Sequence, residues 1–103
     1  MNIKYRKSFL KDLKKLKNLA IYDKITEIVF TILPNLDSLR KLDNVKSMTG
    51  YKNRYRISIG KYRIGIEVEK EYIEIIRVLH RKEFYRFFPW NAILSTDSKQ
   101  KKT

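Results

Sequence analysis

Three arginines recur at strand spacing in this chain, and one tyrosine follows the last of them by a single helical turn. Arg56 lies in Tyr55-Arg56-Ile57-Ser58-Ile59-Gly60, Arg63 in Tyr62-Arg63-Ile64-Gly65-Ile66-Glu67-Val68, and Arg81 follows Ile75-Ile76-Arg77-Val78-Leu79-His80. Successive side chains in a strand point to opposite faces. Tyr55, Ile57 and Ile59 therefore share one face with Tyr62, Ile64, Ile66 and Val68, while Arg56 and Ser58 share the other with Arg63, Gly65 and Glu67. If the apolar face is the core, Arg56 and Arg63 look outward. A guanidinium keeps its charge and presents a planar fork that fits phosphate oxygens, so arginines fixed on a sheet suit a phosphodiester. The competing reading is a row of solvated surface charges.

Tyr85 lies four residues after Arg81, which on a helix puts both on one side. Its hydroxyl suits proton transfer and its ring suits stacking on a base, and it would equally close the edge of a core. His80 is an acid or base by type and, at a strand end, is also suited to a structural role. Lys52, Arg54 and Lys82 add positive potential that would steer phosphate.

The elements that must position these groups are legible in part. Asn2 to Tyr5 alternate as a short first strand. Ser8 reads as a helix N-cap, followed by Phe9, Leu13, Leu16 and Ala20 on one side and Lys11, Lys14, Lys15 and Lys17 between them. After a break at Asn18-Leu19-Ala20, Ile21, Ile25, Ile28, Val29, Ile32 and Leu33 form a second apolar stripe that ends at Pro34. Residues 35–52 lose periodicity and read as an ordered connection anchored by Leu36, Leu39, Leu42 and Val45. Short turns at Gly60-Lys61 and Glu69-Lys70-Glu71 then imply an antiparallel meander, and Arg81 to Phe88 a short helix stopped by Pro89. The expected fold is α+β: N-terminal strand, two-helix hairpin, three-stranded antiparallel meander and short C-terminal helix. It forms one domain over residues 1–94, with a disordered basic tail over 95–103.

Composition narrows the partners. The 103 residues include 24 Lys and Arg against 11 Asp and Glu, a net charge of +13 that favours polyanions. With no cysteine, one histidine and no tight acidic cluster, neither a metal site nor any cofactor is expected. Without an apolar leader or a run near the roughly 20 residues of a membrane span, the chain reads as cytoplasmic, with no membrane partner.

Tyr-Arg-Ile-x-Ile-Gly-x-Tyr-Arg-Ile-Gly followed by Val-Leu-His-Arg-Lys-Glu-x-Tyr resembles the signature of the RelE/ParE superfamily of toxins from toxin–antitoxin pairs. Phe9-x-x-Asp12-Leu13-x-x-Leu16 is similar to the family's first helix, so the resemblance covers roughly residues 1–90. The RelE branch implies a ribosome-dependent mRNA endonuclease that cuts in the A site without a metal, by attack of a ribose 2′-OH on the adjacent phosphorus. Carried onto this chain, that implies Arg63 and Arg81 at the phosphate, Arg56 in a basic or electrostatic role and Tyr85 in proton transfer or stacking. RelE has a second basic residue where this chain has Ser58, and arginine is a poor general base, so His80 is an alternative base. The implied partners are the ribosome, its mRNA and an acidic antitoxin that covers the cationic face or displaces the terminal helix. Phe84, Phe87, Phe88 and Trp90 suit either antitoxin docking or a cap on the core. The ParE branch implies inhibition of DNA gyrase, which needs neither the arginine trio nor the tyrosine. A non-catalytic nucleic-acid-binding module would share the same features.

Overall fold

The computed structural model describes residues 1–88, so Trp90, the boundary at 94 and the 95–103 tail lie outside the described residues. Alternation in the central region gives the expected meander: β3 (Arg54–Ile59), β4 (Tyr62–Val68) and β5 (Ile73–His80) pair antiparallel in succession. Gly60, at φ +56°, supplies the left-handed residue of the β3–β4 turn. Two short strands extend the sheet. β1 (Ile3–Tyr5) lies parallel to β5, and β2 (Val45–Ser47) lies antiparallel to β3, giving the order β1-β5-β4-β3-β2.

The helical layer covers one face. α1 (Lys7–Lys15), α2 (Ile21–Glu27) and the helical turns that continue α2 to Asn35 bury Phe9, Leu13, Ile25, Ile28, Val29 and Leu33 against Ile57, Ile59, Ile64, Ile66, Ile73, Ile75 and Val78. Burial of side chains this size is worth roughly 1.5–3 kcal/mol each, the term that offsets self-repulsion in so cationic a chain. Three local expectations are corrected here. Ser8 is not the cap of α1; Arg6 holds that position, and the Ser8 hydroxyl donates to the Ile76 carbonyl at 2.6 Å. The second helix does not end at Pro34 but passes through a π turn (Ile28–Ile32), where the Leu33 N–H reaches back to the Ile28 carbonyl, into a last α turn, α3 (Leu33–Asn35). Pro34 has no N–H to lose, and the widened turn accommodates it. Within 35–52, a 3-10 turn (Leu39–Lys41) and β2 replace the expected loop, because three strand residues are too few to show a period of two.

The second face is not uniformly cationic. α4 (Arg81–Phe87) lies across it, and Phe84 and Phe88 form a second buried cluster with Ile76, flanked by Met48 and Leu79. Gly65 is what lets α4 approach: a Cβ there would stand 2.6 Å from the Phe88 ring. An irregularity in the β4–β5 register at Gly65/Ile66 leaves Ile76 between two paired residues. Consecutive Ile75 and Ile76 thereby serve the two clusters separately.

Candidate phosphate-binding site

Register assembles the site. Arg56 stands opposite Gly65 and Ser58 opposite Arg63, so Arg56, Ser58 and Arg63 share the face turned away from the helical layer. Arg56 Nη1 donates to the Ser58 hydroxyl at 2.6 Å. Arg63 Nη1 donates to the Gly60 and Tyr62 carbonyls, each at 2.9 Å, while its buried Nε has no hydrogen-bond partner. Lys46 of β2 stands directly opposite Arg56 on its other side and is exposed. Sequence reasoning missed Lys46, since the strand that aims it is too short to announce itself. Among the described residues, no carboxylate forms an ion pair with Lys46, Arg56, Arg63 or Arg81. Like charges directly opposed across strands destabilise a sheet, and an anion laid over them relieves that repulsion.

α4 forms a wall beside this face, packed on β5 and β4. Its first N–H, that of Arg81, donates to the Lys61 carbonyl at 2.7 Å and ties the helix to the β3–β4 turn. Glu83 and Phe87 face α1, where with Asp12, Lys15, Arg77 and Arg86 they line a cleft of about 300 Å³. At 100° per residue about the buried Phe84 and Phe88, Arg81 and Tyr85 take the opposite flank, the one toward β3. Tyr85 is half exposed, its ring edge-on to Phe84 at 5.0 Å. The outer face of β2, β3 and the start of β4 thus carries Lys46, Arg56 and Arg63, with α4 alongside.

His80 sits at the end of that wall in a structural arrangement. Its Nδ1 accepts the Lys82 N–H at 3.1 Å, which caps α4, and its ring meets Tyr62 edge to face at 5.4 Å. With Nδ1 occupied, only Nε2 is available for chemistry. Lys52 and Lys82 are exposed. Arg54 is not a source of open positive potential: Glu67 takes its guanidinium at 2.8 and 2.6 Å, and both side chains are mostly buried. Phe84 and Phe88 are fully buried caps on the sheet and leave no surface for a partner, whereas Phe87 is partly exposed. Among the described residues, no group of three His, Cys, Asp or Glu could hold a metal ion, and no helix is long and apolar enough to cross a membrane.

Comparison with known proteins identifies the family and supports the fold. The family described as ParE toxin of type II toxin–antitoxin systems, parDE, matches residues 3–85. Toxin RelE3 of Methanocaldococcus jannaschii is 41% identical over 90 residues, covering 86% of this chain and 100% of that protein. A chain of the RelB–RelE antitoxin–toxin complex of Methanococcus jannaschii superposes with a TM-score of 0.71 at 42% identity, over 84% of this chain and 99% of that one. A chain of the DinJ–YafQ complex of E. coli shares the fold at a TM-score of 0.66 with 14% identity, over 82% and 97% of the two chains.

Proposed function

Because the chain belongs to the ParE toxin family of type II toxin–antitoxin systems, within the RelE/ParE superfamily, we propose that it is a RelE-type toxin that blocks translation by cutting mRNA in the ribosomal A site. What carries this reading is that Arg56 and Arg63 lie on one face with no carboxylate partner among the described residues; we take that face as the floor of a trough walled by α4, on whose flank Arg81 and Tyr85 lie. Of these, the resemblance puts Arg63 and Arg81 at the phosphate, Arg56 in a basic or electrostatic role and Tyr85 in proton transfer or stacking. Toxin RelE3, 41% identical along its whole length, bears the same family name.

The reaction needs no metal. The 2′-OH of the substrate ribose gives up its proton as its oxygen bonds to the adjacent phosphorus. The P–O5′ bond breaks, leaving a 2′,3′-cyclic phosphate and a 5′-oxygen that takes up a proton. Negative charge grows on the non-bridging phosphate oxygens, and Arg63 and Arg81 stabilise it, with Arg56 adding positive potential. Tyr85 stacks on the neighbouring base or carries a proton, and His80 Nε2 is the alternative proton carrier. Lys52, Lys82 and Lys46 steer the polyanion. The cytoplasm, where ribosomes and mRNA are, is the compartment in which this works. An antitoxin neutralises the toxin by laying carboxylates along the trough, in keeping with the toxin–antitoxin complexes among its structural relatives.

The test is cleavage of a defined mRNA with and without ribosomes. We expect cuts within codons only when ribosomes are present, undiminished by EDTA beyond its effect on ribosomes. Arg63→Ala should slow cutting by about 10²–10³-fold, the usual cost of removing one transition-state donor, without unfolding the protein. The matching family's description as ParE favours a second reading, inhibition of DNA gyrase. Intact mRNA together with loss of gyrase supercoiling would establish that one instead.

A further inference from the structure

Ser58 stands where RelE carries a second basic residue, and nothing in the mechanism above uses it. Its surroundings are nevertheless built. Its N–H donates to the Asn44 carbonyl at 3.0 Å, and its own carbonyl accepts from the Asn44 side-chain amide. Asn44 immediately precedes β2, so the Val45–Ser47 pairing with β3 holds this double contact in register. Across the sheet, Ser58 faces Arg63. Its hydroxyl then takes Arg56 Nη1 at 2.6 Å, a short hydrogen bond to a charged donor.

We infer that Ser58, clamped by Asn44, is the positioning residue for Arg56: it fixes the guanidinium on this face so that its remaining donors meet the charge that grows on the phosphate in the transition state without first being ordered. An arginine side chain carries considerable rotamer entropy, and a donor already held in place spends less of its binding energy on ordering. A hydroxyl suits this task better than a carboxylate. It orients the guanidinium and leaves its charge uncancelled. The Arg63 forks are held in the same way, by the neutral carbonyls of Gly60 and Tyr62. The geometry stands independently of the reaction, while its effect on cleavage rests on the proposed function.

Two measurements separate those levels. The first follows rotation of the Arg56 guanidinium by the NMR line shapes of its Nη protons in the full chain. We expect slow rotation in the wild type and in Ser58→Thr, which keeps the hydroxyl, and fast rotation in Ser58→Ala. Equally fast rotation in all three overturns the inference, whatever the protein's activity. The second is single-turnover cleavage on ribosomes, paired with binding of an mRNA whose A-site 2′-OH is replaced by hydrogen and so cannot be cut. Ser58→Ala should cleave about tenfold more slowly, the worth of one charge-assisted hydrogen bond, yet bind the uncleavable mRNA within about twofold of wild type, and Ser58→Thr should restore the rate. Wild-type speed in Ser58→Ala, or a Thr variant as slow as the Ala one, overturns the catalytic role. A wild type that cuts nothing sinks the proposed function instead and leaves the NMR result to decide the positioning.

Discussion

Arg56 and Arg77 occupy one row of the sheet, on either side of Gly65, and meet different surroundings. Arg77 lies at the β5 edge that β1 is too short to cover. There Asp12 of α1 grips its guanidinium at 2.7 and 3.0 Å and also accepts the Val78 N–H at 3.1 Å, while the Phe87 ring lies 5.1 Å from it. Arg56 lies at the other end of the row, with a serine hydroxyl for a partner and Lys46 as neighbour. The same residue type on the same face is structural where a helix brings a carboxylate and available for a ligand where none arrives. Arg54 and Glu67 repeat the structural case one turn of alternation away. An arginine at strand spacing is thus no indication of function until its counter-ion is known.

The largest expected effect breaks that contrast at its structural end. Asp12 is 6% exposed and Arg77's side chain 15%, so Asp12→Ala strands a buried guanidinium and an edge N–H. It should lower unfolding free energy by about 3–5 kcal/mol in denaturant titration. Arg56→Ala should change it by no more than about 0.5 kcal/mol. Similar losses for the two variants would erase the distinction between the arginines.

A smaller effect tests what closes the trough. Gly65→Ala drives a methyl into the Phe88 ring, and overpacking of this kind costs about 1–3 kcal/mol. Because α4 is packed on the outer face, its amides should lose hydrogen-exchange protection while those of β3 and β4 keep theirs. Uniform protection loss would mean that α4 and the sheet open as one unit.

The smallest effect concerns the end of the sheet where carboxylates are in excess. The Glu69 carboxyl is pushed above its ordinary 4.5, chiefly by a hydrogen bond with Glu67, then by desolvation and by the charges of Glu67 and Glu74. A raised acid binds its proton more tightly folded than unfolded. Its contribution is therefore present below pH 4.5 and is lost as pH rises through the raised folded value. Glu69→Gln should flatten that fall in thermal midpoint and leave the neutral-pH protein slightly more stable. An unchanged slope would show that the Glu67–Glu69 contact does not couple to folding.

Much of this was legible because burial and alternation write themselves into the chain. Ile57, Ile59, Ile64 and Ile66 announce the inner face, and their neighbours Arg56, Ser58 and Arg63 are consigned to the outer one by the same period of two. The helical stripe of Phe9, Leu13, Ile25 and Val29 is equally plain. β2 was not, for three residues show no period, and with it went Lys46 and the Asn44 clamp. The role of Asp12 was hidden for another reason: a lone carboxylate on a lysine-rich helix looks like surface charge until the helix is laid along a strand edge. Phe84 and Phe88 were open to two readings, docking or capping, and Gly65 decides between them by leaving room for a ring.

By itself, the sequence determined the meander, the two helices, the basic character and which side chains share a face, since all of these follow from local periodicity and composition. Only the tertiary structure decided which arginines are spoken for. Counter-ions come from residues distant in the chain, Asp12 for Arg77 and Glu67 for Arg54, and no local pattern records who will meet. The face around Arg56 and Arg63 is cationic because the fold delivers carboxylates elsewhere. That is a property of contacts between elements, and it takes all of them in place to see it.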